Sequence, residues 1–83
     1  MQYLLTCRSL TYAQRGARVL ERAGITGTVS RVPKSISKNG CSYCVVVSAR
    51  HITRALSLLQ KNGLPPEKTF LRDENGRTTE VQP

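Results

Sequence analysis

A chain of 83 residues buries too little surface to divide its interior between two cores, so a single domain is expected. Its interior must be aliphatic, because the sequence holds no Trp, one Phe and three Tyr. The 13 Lys and Arg against 5 Asp and Glu, a formal net charge of +8, favour anionic partners and say nothing about fold.

The opening run Gln2–Cys7 is short and apolar-rich, which predicts a strand, and the polar Arg8, Ser9 and Thr11 that follow can cap a helix. Over residues 12–23, Ala13, Gly16, Ala17 and Leu20 recur at helical spacing while Arg15, Arg18 and Arg22 share another face; Gly24 ends this helix. Residues 25–32 alternate weakly and are rich in β-branched side chains, a second strand. Pro33, Ser35, Ser37, Asn39 and Gly40 then mark a loop before the strand-like Tyr43-Cys44-Val45-Val46-Val47.

Ser48 can cap a second helix over residues 49–62, with Ile52, Ala55, Leu56 and Leu59 as its apolar stripe. Gly63 closes that helix, and Pro65 and Pro66 prevent its continuation. Residues 68–72 read as a fourth strand. Asn75-Gly76 is a hairpin-type turn that returns residues 77–81 alongside it, or residues 73–83 form a polar tail; the sequence leaves both open. The order βαββαβ repeats itself in Val19-Leu20-Glu21-Arg22-Ala23-Gly24-Ile25 and Leu58-Leu59-Gln60-Lys61-Asn62-Gly63-Leu64, two helix exits of the same design. The expected fold is α+β, a ferredoxin-like sandwich over residues 1–72 with an antiparallel sheet and two helices on one face.

Charge is distributed unevenly. Residues 1–66 hold ten basic side chains and one acid, Glu21, whereas four of the five acids fall in the last 17 residues. The N-terminus has neither a basic leader nor a long apolar stretch, so no signal peptide or membrane span is expected, and a cytoplasmic address is the expectation. Three cysteines are an odd number, better read as thiols in a reducing compartment than as a disulfide framework.

The expected topology makes the first and third strands antiparallel neighbours, so Cys7, Cys41 and the start of the first helix converge on one edge. A helix N-terminus and nearby cations both favour thiolate over thiol. Arg8, Arg31, Lys34 and Lys38 are the candidate cations. Cys41 follows Gly40 in a polar loop and is the best nucleophile in the chain; Cys7 is a candidate nearby thiol. Cys44 completes a Cys-x-x-Cys spacing and is a candidate resolving thiol. Residues three apart on a strand lie about 10 Å apart, however, and a disulfide needs Cα atoms roughly 4.4 to 6.8 Å apart. Packing as small hydrophobes is the competing reading of Cys44 and Cys7. His51 falls in the first turn of the second helix, too far from the cysteines to complete a zinc site, so no metal and no cofactor is expected.

These residues resemble a small bacterial family of unknown function described as selenium/sulfur carrier-like proteins. The likeness covers roughly residues 2–71. It rests on Ser9 before the first helix, the exit Ala23-Gly24-Ile25, the turn Val32-Pro33-Lys34, the pair Ile36-Ser37, the loop cysteine Cys41 and the exit at Gly63. In the family pattern a Pro and a basic residue precede Ile-Ser, and a Cys-Gly pair opens a hydrophobic strand. The resemblance therefore implies that Cys41 is the sulfur-carrying position and Lys34 the basic one, with Ser42 in place of the usual Gly.

Three functions compete. In the leading one, Cys41 carries sulfur or selenium as a persulfide or selenopersulfide between a donor enzyme and an acceptor. The second is a basic nucleic-acid-binding module, for which the three strand aromatics Tyr3, Tyr43 and Phe70 are a thin stacking surface. The third is a non-catalytic regulatory domain that homodimerises through a sheet face. One His, no paired carboxylates beside it and no Gly-rich phosphate cradle leave no enzyme class to assign.

Overall fold

The computed structural model describes residues 1–34 and 43–82. Its elements are β1 (Gln2–Cys7), α1 (Leu10–Arg22), β2 (Thr28–Arg31), β3 (Tyr43–Ser48), a 3-10 turn (Ala49–His51), α2 (Ile52–Lys61), β4 (Thr69–Arg72) and β5 (Thr78–Val81). The strands form one antiparallel sheet in the order β2-β3-β1-β4-β5. The α+β class, the antiparallel sheet and the two helices are as expected. A fifth strand, one of the two alternatives left open for residues 73–83, pairs with the outer side of β4.

Alternation along the strands sends two sets of side chains to opposite faces. Leu5, Val45 and Val47 meet Ala13 and Leu20 of α1 and Ala55 and Leu59 of α2, so both helices cover this face. Leu4, Cys44 and Phe70 cluster with Val32 on the other face. Within the core, Gly16 lets the helices close on each other: a Cβ there would stand 3.3 Å from Leu59 Cδ2.

Both helices end in the same way. The Gly24 N–H donates to Glu21 O and the Ile25 N–H to Leu20 O, at 3.0 and 2.9 Å; the Gly63 N–H donates to Gln60 O and the Leu64 N–H to Leu59 O, at 3.2 and 2.8 Å. This paired closure needs a left-handed residue, and Gly24 and Gly63 have φ of 79° and 71°. Leu20 and Ile25 then bury together as the closure's apolar contact.

Hydrogen bonding also explains where the element boundaries depart from the sequence reading. The first helix starts at Leu10, earlier than residue 12, because Ser9 caps it, its Oγ accepting from the Tyr12 N–H at 3.3 Å. The second strand starts at Thr28, later than residue 25, since the Ile25 N–H is committed to the helix exit. Ser48 makes no side-chain cap bond, and the chain enters α2 through a tighter turn. In the β4–β5 hairpin, Asp73 Oδ1 accepts from the N–H groups of Asn75 and Arg77, each at 2.9 Å, and Gly76 takes φ of 83°. Among the described residues no helix is long and apolar enough to cross a membrane.

Leu20 is fully buried where α1, its exit and β3 meet, whereas Leu10 is 39% exposed. Leu20→Ala should lower unfolding free energy by about 2–5 kcal/mol, and Leu10→Ala by no more than about 0.5 kcal/mol. Urea denaturation of both variants checks this; equal losses would contradict the assigned core.

Candidate functional site

The two central strands fix the site. β1 and β3 pair with Cys7 opposite Tyr43, and β2 and β3 pair with Arg31 opposite Tyr43. Cys7, Tyr43 and Arg31 therefore stand in a row across three strands at one edge, with neighbouring strands about 4.8 Å apart. All three lie in helix-facing register positions. α1 begins at the same edge, with two residues, Arg8 and Ser9, between it and the end of β1.

The edge carries positive charge. Exposed Arg8 places Cζ 5.0 Å from the Tyr12 ring centroid, and exposed Arg31 places Cζ 5.9 Å from that of Tyr43. Each contact is worth about 0.5–1 kcal/mol at such a site and holds the guanidinium near the edge. The first turn of α1 has no acidic residue to offset its partial positive charge. Lys34 is exposed three residues beyond the end of β2.

Cys7 is half-buried and lines a cavity of about 190 Å³ with Arg8, Tyr12, Gly16, Pro65, Pro66 and Glu67 among its other walls. Its Sγ–H donates to Leu5 O at 3.5 Å. Thr6 clamps the proline wall in place. Its N–H donates to Lys68 O and its carbonyl accepts from the Glu67 N–H, both at 2.9 Å. The Thr6 hydroxyl donates to Lys68 O at 3.2 Å and accepts from the Lys68 N–H at 2.9 Å.

Cys44 has the opposite environment. It is wholly buried against Leu4, Val32 and Phe70 on the other face of the sheet. Cys7 packs against the helix-side core, so the sheet separates these two side chains. Of the remaining sequence candidates, Cys41 and Lys38 lie outside the described residues, as does the loop of Ser35, Ser37, Asn39 and Gly40. The chain leaves the described structure just after Lys34 and returns at Tyr43, so both junctions flank the Arg31–Tyr43 pair. His51 follows the opposite end of β3, where Gln2 pairs with Ser48.

The strand aromatics do not share a face. Tyr3 and Tyr43 pack on the helix side, and Phe70 is buried on the other. They therefore form no single stacking row. Sequence reasoning passed over Tyr12, the residue that holds Arg8 and lines the Cys7 cavity; the four-residue spacing between Arg8 and Tyr12 was the available signal. The proline wall was missed because it depends on Thr6, 62 positions from Lys68.

A family described as "Putative Se/S carrier protein-like" matches the chain over residues 2–71, and the chain belongs to that family. No curated protein and no solved structure matches it.

The two described cysteines should differ in access. In a Cys41→Ser background, a small neutral alkylating agent is expected to modify Cys7 in the native state. Cys44 should react only when the sheet opens, at least about a hundredfold more slowly. Equal rates, followed by peptide mass spectrometry, would contradict the opposed placement of the two thiols.

Proposed function

As a member of that family, we propose, this chain is a cytoplasmic sulfur or selenium carrier whose Cys41 thiolate accepts a chalcogen atom from a donor enzyme and passes it to an acceptor. Family membership carries this reading. The geometry supports it: Cys41 is joined in sequence, through Ser42, to Tyr43, which stands between Arg31 and Cys7 at the basic edge. We read the inner strand order β2-β3-β1-β4 as the split βαβ arrangement of a ferredoxin-like sandwich, extended by β5.

The transfer needs no outside oxidant. The Cys41 thiolate attacks the terminal sulfur of a persulfide on the donor's cysteine. A new S–S bond forms at Cys41 as the donor's S–S bond breaks, and the donor cysteine departs as its thiolate. Attack by an acceptor thiolate on the terminal sulfur reverses the process and regenerates the Cys41 thiolate. Every resting and loaded form at Cys41 is anionic, so Arg8, Arg31, Lys34 and Lys38 are assigned to anion stabilisation. Cys7 is the second thiol assigned to this edge. Cys44, enclosed in the other face, receives no transfer role.

Incubation with a cysteine desulfurase and cysteine should add the mass of one sulfur atom to the intact protein. Cys41→Ser should abolish the adduct and Cys44→Ala should retain it. An unmodified wild-type protein, or an adduct that survives in Cys41→Ser, would rule the carrier role out.

A further inference from the structure

The thiol chemistry leaves three arginines unused. Arg15, Arg18 and Arg22 are spaced three and four residues apart on α1, which at about 100° per residue sets them in one stripe flanked by Tyr12 and Val19. With a rise of about 1.5 Å per residue, the stripe runs about 10 Å along the helix. It forms one wall of a groove of about 420 Å³, opposite Asn62, Gly63 and Leu64 at the exit of α2.

No carboxylate among the described residues lines this groove, and α1's one acid, Glu21, is not among its walls. Among the described residues, none of the three guanidinium groups has an ion-pair or hydrogen-bond partner. Like charges at three- and four-residue spacing on a helix face destabilise the helix. The Arg22 charge gains from the C-terminal end of the dipole, but Arg15 and Arg18 have no such return within the fold.

We infer that this groove is a binding site for the oligophosphate group of a small molecule. Guanidinium forks match phosphate oxygens in paired hydrogen bonds, and all three cations here are Arg rather than Lys. Three forks spread over the stripe exceed what one phosphate can engage, whereas a di- or triphosphate can bridge them. The groove's volume falls within the ~300–1,000 Å³ of small-molecule sites. Val19, Leu64 and Tyr12 supply apolar surface for the organic part of the ligand. Tyr12, Gly63 and Leu64 also line the Cys7 cavity, so the ligand would sit beside the basic edge. The inference does not depend on Cys41.

Titration calorimetry of the whole chain at physiological salt, with inorganic tripolyphosphate, pyrophosphate and monophosphate, tests it. Tripolyphosphate should bind at least about tenfold more tightly than monophosphate, because more forks are engaged. Arg18→Gln, and separately Arg15→Gln, should each weaken tripolyphosphate by about tenfold, while Arg50→Gln, outside the walls of the groove, leaves it unchanged. These residues are exposed, so thermal melts should show every variant folded. Equal affinity for the three anions, or an equal loss in Arg50→Gln, would reduce the site to general attraction by net charge and overturn the inference. A single-stranded RNA or an acidic peptide that uses Arg15 and Arg18 and is not displaced by tripolyphosphate would overturn it as well.

Discussion

The register between β1 and β3 is the constraint on which the other features depend. Leu5 opposite Val45 and Tyr3 opposite Val47 put three of the largest buried side chains and one tyrosine under the helices. A slip of one residue would turn Leu4 and Thr6 toward the helices and carry Leu5 and Cys7 away from them. The same register ends with Cys7 beside Tyr43, so the pairing that builds the core also sets the basic edge. Stability and site geometry are one arrangement here, and a core substitution that shifted β1 would move the site with it.

The sheet gives its cysteines different chemistry by giving them different faces. Cys7 sits at a strand end, against a small cavity, with a guanidinium, a helix start and a proline wall around it. Cys44 is one step along the neighbouring strand and is enclosed by apolar neighbours. Aliphatic packing holds the centre of the molecule, and two groups of arginines lie exposed on α1 and just before it. Arg8 is tied to Tyr12 at the N-terminal edge, while Arg15, Arg18 and Arg22 line the groove toward the exit of α2.

Much of this was legible in the sequence because the signals were local. The strand Gln2–Cys7, the stripe of Ala13, Gly16 and Leu20, the valines of β3 and the repeated glycine exits each declare themselves within a few residues. Topology alone set the end of the first strand beside the start of the third, as the Cys7–Tyr43 pair has it; Cys41, expected at the same edge, lies outside the described residues. What was not legible depended on distant partners. The first residues of β2 look strand-like, yet the Ile25 N–H bonds back into α1. Residues 77–81 could be strand or tail until Asp73 is seen organising the turn and β4 offering its outer edge. The groove was half visible, since the arginine stripe is a helical pattern, but its opposite wall comes from a segment about 40 residues further along the chain.

The carrier role requires a single cysteine, Cys41, to be more reactive than an ordinary thiol because a basic edge favours its anion. The most direct measurement is the rate of reaction with neutral iodoacetamide at pH 7 in a Cys7→Ser, Cys44→Ala background, compared with glutathione under the same conditions. Faster reaction at Cys41, slowed by replacing Arg31 and Lys34 with Gln, is the expected result. A rate equal to or below that of glutathione, unchanged by those replacements, would contradict it.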